Sequence, residues 1–168
     1  MIIYLTGFMG AGKSHLARQL AKILNLPLID LDSEIERKTG NSISELFESS
    51  GEKAFRKAEY DQLSHFSRRT PDFVMACGGG ILNNIDNLML MQQYGIVVFV
   101  DTKLSVIKNR LLKQKENRPL LAGLSDEACL QRIDELYKQR LPYYRKSDVS
   151  YKPHIETPED LLRKIKLF

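Results

Sequence analysis

Residues 7–14 read Gly-Phe-Met-Gly-Ala-Gly-Lys-Ser, which fits the pattern GxxxxGK[ST]. The octet follows a short apolar run, Ile2 to Thr6, and precedes a stretch from Ser14 in which Leu16, Leu20, Ile23 and Leu24 recur at helical spacing. Strand, glycine loop and helix in that order leave few folds open. A loop wrapped round a phosphate must bring backbone N–H groups close, where a Cβ would collide or forbid the needed φ, and Gly7, Gly10 and Gly12 supply that freedom. Lys13 reaches the β- and γ-phosphates as a flexible point charge, the Ser14 hydroxyl is placed to ligate Mg2+, and the following helix turns its positive end to the same anion. A nucleoside triphosphate with Mg2+ is the first expected ligand, with contacts from Gly10, Ala11, Gly12, Lys13, Ser14 and His15.

The form repeats along the chain. Leu28 to Leu31, Phe73 to Cys77 and Ile96 to Val100 are short apolar runs, each followed by a loop and a helical stretch. Such alternation predicts an α/β fold, a parallel sheet covered by helices on both faces. Ser42 with Glu45 is a capping-box pattern that starts a helix near Ile43, and Gly51 fits its stop. A polar helix is expected from about Glu52 to Arg69, ended by Thr70 and Pro71. Lys113 to Pro119 is charged and without apolar periodicity, a surface segment. Helical spacing resumes at Ser125, and Pro158 begins a last short helix.

A chain of 168 residues predicts a single domain. Its net charge of +4 is too small to single out a class of partner. Two cysteines 52 residues apart and three scattered histidines argue against a disulfide framework and a zinc site. The longest strongly apolar run, Ile96 to Val100, is far short of the roughly 18–20 residues of a membrane span. Cytoplasmic location is the expectation, with no membrane partner. Nucleic acid is disfavoured too, since the cations of Lys113 to Arg118 are few and not interleaved with aromatics. The guanine-reading NKxD pattern is absent and the length leaves little room for a mechanical module, so a small-molecule kinase is the favoured class.

Three further features accompany the glycine loop. Asp30-Leu31-Asp32 closes the second apolar run, where an open α/β sheet puts its ligands. By pattern alone these acids read equally as solvated charges at a helix start. Phe55-Arg56 lies within Gly51 to Glu59 and is read with Gly78-Gly79-Gly80 after the third run; a lone arginine on a polar helix is ordinarily a solvated charge. Arg118-Pro119-Leu120-Leu121 is followed by Arg140-Leu141-Pro142-Tyr143-Tyr144. Together with the loop, these motifs resemble the shikimate kinase family, in order and at compatible spacing from Gly7 to about Pro158.

That resemblance implies a three-layer α/β/α sandwich of the P-loop, nucleoside-monophosphate-kinase type, with a five-stranded parallel sheet in the order 2-3-1-4-5. Residues from about Asp32 to Glu59 would form a substrate-binding subdomain and about Lys113 to Leu124 a lid, in a monomer that binds ATP and shikimate. It assigns Asp30 to the Mg2+ neighbourhood and Asp32 to the shikimate hydroxyls. Arg56 and Arg140 take the substrate carboxylate, and Gly78, Gly79 and Gly80 the ring hydroxyls. Arg118 goes to the ATP phosphates, with Lys13, Asp32 and Arg118 as the catalytic set. Glu59, at i+3 from Arg56, is spaced to hold its guanidinium. Phe47 and Phe55 are apolar wall or plain core. Arg110 and Pro158 match positions that flank adenine, although Arg110 also reads as an exposed helical residue.

Two positions depart from the expected pattern. Val97 to Asp101 looks like a Walker B strand, yet the family lacks a metal-binding acid there, so Asp101 is expected to cap or start a helix. Cys77 stands where a small hydroxyl residue is common, a weaker donor of similar shape, and altered oxidant sensitivity is the expectation. The alternatives are a gluconate or nucleoside-monophosphate kinase and a non-catalytic nucleotide-binding regulator. The triple glycine with RPLL opposes the first, and intact Lys13, Ser14, Asp32 and Arg118 oppose the second.

Overall fold

The computed structural model describes residues 1–118 and 120–168. Strands β1 (Ile2–Thr6), β2 (Leu28–Asp30), β3 (Phe73–Ala76), β4 (Ile96–Val100) and β5 (Val149–Tyr151) form one sheet in the order β2-β3-β1-β4-β5. All pairs are parallel, with Leu5 of β1 opposite Ala76 of β3 and Val98 of β4. Every residue of β1 and β3 is buried. Successive strand side chains point to opposite faces, so both faces of the sheet are covered, and the architecture is the expected α/β/α sandwich.

The covering helices are α1 (Lys13–Leu24), α2 (Leu31–Thr39), α3 (Ile43–Arg69), α4 (Ile85–Tyr94), α5 (Leu104–Leu112), α6 (Asp126–Tyr144) and α7 (Pro158–Ile165). Their starts are largely written in capping side chains. Ser42 Oγ accepts from the Glu45 N–H at 3.2 Å while Glu45 accepts from the Ser42 N–H at 2.7 Å, the predicted capping box. Ser125 caps α6 and Thr157 caps α7, with Pro158 in the first turn. Gly51 leaves helical geometry at φ 80° and ψ 172°, so the expected stop is a kink within α3 rather than a loop. Among the described residues, no helix is long and apolar enough to cross a membrane.

The edges of the sheet differ most from the sequence reading. Leu28 is 43% exposed, because β2 pairs with β3 alone and forms an edge. Leu31, read as part of that run, is the buried first residue of α2. The three-residue β5 carries no pattern long enough to mark it as a strand. Asp101 does not cap α5: the N-cap is Lys103, and the Asp101 N–H donates to the Tyr151 carbonyl. Within the charged segment, Lys115–Asn117 forms a 3-10 turn and Leu121 is wholly buried. Lys115 Nζ ties that turn to the start of α6 through the Leu124 carbonyl and Asp126. Pro119 of the RPLL motif lies outside the described residues.

Because the sheet is parallel, the loops after its strands gather along one edge. Gly7 follows β1, Asp30 ends β2, Cys77 and Gly78 follow β3, and Asp101 follows β4.

The turn from α4 into β4 is held by close backbone approach. A Cβ on Gly95 would lie 2.5 Å from the Ile2 carbonyl oxygen and 2.7 Å from the Ile2 Cβ. Gly95→Ala is therefore expected to lower the unfolding free energy by about 1–3 kcal/mol, read as a lower urea midpoint at unchanged slope. A wild-type midpoint would show that the first residues of β1 shift freely.

Candidate active site

Two cavities adjoin along the loop-bearing edge of the sheet. The larger, about 520 Å³, is lined by residues 9–16, by Asp30, and by Arg110 and Gln114 from the end of α5 and beyond. The smaller, about 160 Å³, is lined by Phe55, Arg56 and Glu59 of α3, by Gly78 to Gly80, and by Arg140 of α6. Met9, Asp32, Gly78, Gly79 and Arg118 line both. Of the residues assigned to catalysis, nucleotide, metal or substrate, all but Pro158 line one of the two cavities. Pro158 is in neither lining; it opens α7, where its missing N–H costs nothing, and Pro153 lines the larger cavity instead.

The glycine loop is built from the end of β1 into α1. Gly12 is the N-cap of α1 at φ 98°, a conformation that costs an L side chain, and it has no side chain to compete for the amides of the first turn. Lys13 Nζ donates to the Gly7 and Phe8 carbonyls at 2.9 and 3.0 Å. Its removal from water pushes its pKa down to about 8, and Arg118 and Arg140 add to that while Asp32 opposes it. Arg110 Nη1 donates to the Gly10 carbonyl at 2.9 Å, so this arginine is folded onto the loop rather than pointing away from it.

Asp30 and Asp32 diverge where β2 turns into α2. Asp30 Oδ1 caps α2 by accepting the Ser33 N–H at 3.2 Å. Asp32 sits in the first helical turn, and its Oδ1 is buried without a partner among the described residues. Burial raises its pKa, the neighbouring Asp30 raises it further, and Lys13 counteracts both. It is not the freely solvated acid that its sequence position permits.

The smaller cavity is polarised along the triple glycine. Cβ atoms built on Gly78, Gly79 and Gly80 would lie 3.1 Å from Asp32 Oδ1, 3.5 Å from Arg140 Nη1 and 2.7 Å from Arg56 Nη2 respectively. A carboxylate at one end and two guanidinium groups toward the other therefore reach the backbone where no side chain intervenes. Arg56 donates to Glu59 at 2.8 Å and lies 5.0 Å over the Phe55 ring. Glu59 is fully buried, with Oε1 unpartnered among the described residues, and burial raises its pKa more than Arg56 lowers it. Tyr144 donates to the Gly79 carbonyl while stacked on Phe99 with ring centroids 5.2 Å apart. Phe55 lines this cavity; Phe47 packs behind it at 4.7 Å between centroids and lines neither.

Cys77 lines the larger cavity but is 3% exposed, and burial holds its thiol well above the usual range. A buried thiol kept protonated is slow to oxidise, which argues against oxidant sensitivity at this position. Sequence reasoning missed Met9, Gln114 and Pro153. Met9 occupies a variable position of the loop motif, and Pro153 follows a strand too short to be read.

Comparison with known proteins identifies the family. The shikimate kinase family model matches residues 9–167. A shikimate kinase of Bacteroides fragilis is 38% identical, covering 97% of this chain and 94% of its own. That of Aquifex aeolicus is 37% identical, covering 99% and 95%. A solved shikimate kinase from Bacteroides thetaiotaomicron superposes with a TM-score of 0.86 at 32% identity, covering 99% of this chain and 95% of the other. One from Acinetobacter baumannii, in complex with shikimate, gives 0.85 at 37%, covering 98% and 90%. On this full-length agreement of sequence and fold, the chain belongs to the shikimate kinase family.

Proposed function

We propose that the protein transfers the γ-phosphoryl group of ATP to the 3-hydroxyl of shikimate, giving ADP and shikimate 3-phosphate. The observation that carries this reading is the junction of the two cavities at Asp32 and Arg118, one beside the glycine loop and the other carrying Arg56 and Arg140. Shikimate has a carboxylate on one side of its ring and hydroxyls on the other. The run from Asp32 by Gly78 to Arg140 and Arg56 by Gly79 and Gly80 matches that polarity. Two guanidinium groups on one carboxylate bind and orient it.

Lys13 exchanges its two carbonyl partners for phosphate oxygens, and the amides of the loop and of α1 complete the cradle. Ser14 and Asp30 line the same cavity, and these hard oxygen donors suit Mg2+. Among the described residues no cluster of three or more His, Cys, Asp or Glu could hold a metal alone, so phosphate and water oxygens would complete its shell. Bound Mg2+ would neutralise phosphate charge. Arg110, Gln114 and Pro153 would border the base. Asp32 orients the acceptor hydroxyl and takes its proton as the new O–P bond forms and the bond to ADP breaks. A loose transition state asks little early deprotonation, so positioning and charge dominate. Residues 113–124, carrying Arg118, act as the lid, and residues 32–59 as the substrate-binding subdomain. Closure excludes water and keeps hydrolysis slow.

ADP release with Mg-ATP and shikimate, quinate, gluconate, AMP, CMP or no acceptor tests the reading: turnover with shikimate is expected, and turnover only with another acceptor would sink it. Asp32→Asn should lower kcat by about 10²–10⁴ with little change in ATP affinity. An equal loss of ATP affinity would move Asp32 out of its role. Arg56→Lys and Arg140→Lys should each raise the KM for shikimate about tenfold or more while sparing that for ATP, since the planar fork is lost.

Lys13 also sets a pH dependence. Phosphate would raise the Lys13 pKa above its free value of about 8. The resulting gain in affinity is full below that value and shrinks as pH rises toward the bound value. ATP affinity should therefore fall, and binding should take up protons, above about pH 8, as titration calorimetry in buffers of different ionisation enthalpy would show. A flat profile from pH 7 to 9.5 would contradict the shift.

A further inference from the structure

Thr102 stands two residues beyond β4, is 5% exposed and lines neither cavity. Its Oγ1 nonetheless donates to the Ala11 carbonyl at 2.7 Å, a buried bond across 91 residues of sequence. A threonine hydroxyl has one proton to give, and here it goes to the middle of the glycine loop. The peptide units are all trans among the described residues. In a trans unit the carbonyl and the following N–H point in opposite directions. With the Ala11 carbonyl held toward Thr102, the N–H of Gly12 in the same unit faces away from it, and Gly12 lines the larger cavity.

We infer that Thr102 is a positioning residue that locks the Ala11–Gly12 peptide unit so that the Gly12 N–H is aimed at a nucleotide phosphate before the nucleotide arrives. A lock is needed because glycine gives this unit freedom to rotate. The rotated unit would turn a carbonyl oxygen, not an amide, toward the anion. Donors fixed in advance cost no reorganisation on binding. A second tether from the same part of the chain supports the assignment. Arg110 Nη1 holds the Gly10 carbonyl, and Leu111 and Ile107 stand where a Cβ on Gly10 would project, so the β4–α5 region grips two consecutive carbonyls of the loop. The strand end at which the Val97 to Asp101 pattern suggests a metal-binding acid thus serves the loop through the next residue's hydroxyl.

The inference rests on nucleotide binding at this loop, so its test reads binding directly. Thr102→Val keeps the shape and removes the donor, whereas Thr102→Ser keeps the donor. By titration calorimetry, Thr102→Val should bind ADP about tenfold more weakly and Thr102→Ser within about twofold of wild type. In steady-state assays the KM for ATP should rise in Thr102→Val while that for shikimate holds, a split that general loosening would not produce. A measurement on the wild type needs no variant to fold: the Gly12 amide resonance should move downfield when ADP binds. ADP binding by Thr102→Val at wild-type strength, equal losses in both variants, a parallel rise in the shikimate KM, or an unmoved Gly12 amide would each overturn the role of Thr102. Failure of the wild type to bind ADP would overturn the nucleotide reading along with it.

Discussion

An ammonium taken out of water is the constraint around which this site is arranged. Lys13 lies in the larger cavity with its charge disfavoured by burial and by two arginines, and Asp32 offsets only part of that. Asp32 and Glu59 are themselves carboxylates out of water, each with an oxygen left without a partner. Around them stand four cationic side chains, Lys13, Arg56, Arg118 and Arg140, of which Arg56 is paired with Glu59. On the proposed function, a polyanion would meet Lys13 and Arg118, and a carboxylate would meet Arg56 and Arg140. Charges that fold at a cost are held where ligands relieve it.

The scaffold bears that cost because the sheet beneath it is dry. Tyr4, Leu5, Val74 and Met75 are inaccessible to solvent, and the loops that carry charge leave only from the ends of these strands. Hydrophobic burial in the middle layer therefore fixes where the loops start, and local bonds fix where they go. Tyr144 on the Gly79 carbonyl and Glu59 on Arg56 pin the smaller cavity, and Arg110 pins the loop carbonyl of Gly10. Each of these bonds joins a side chain from a helix to a strand-end loop or to a neighbouring turn, so helix packing and site geometry are one problem.

Much of this was legible in the residues, for identifiable reasons. The glycine loop, the Ser42–Glu45 box and Pro158 at a helix start are local codes, in which a few adjacent residues determine a conformation. β1 and β4 were readable because both their faces are buried, which makes them continuously apolar. Of the edge strands, β2 was readable only as a run one residue too long, with Leu28 exposed rather than buried, and β5 was not readable because Ser150 interrupts it. Site residues that depend on tertiary approach were the hardest. The fork of Arg56 was suggested by Glu59 at i+3, but the burial of Glu59 is invisible in a polar helix. Pro153 borders the larger cavity, where the family pattern pointed to Pro158, because which turn reaches the cavity depends on how β5 leaves the sheet. Asp101 looked like the functional end of β4 because carboxylates carry obvious chemistry and a buried hydroxyl does not.

The wall shared by the two cavities has a thermodynamic consequence. Met9, Asp32, Gly78, Gly79 and Arg118 each present atoms to both sides, so a molecule that orders them from one side has already met part of the entropy that ordering from the other would require. Linkage makes any such gain mutual: whatever factor one occupant adds to the affinity of the other, it receives back in equal measure. With both cavities occupied, selectivity would then be partly a property of the pair, since an ill-fitting molecule on either side would forfeit its neighbour's contribution as well as its own.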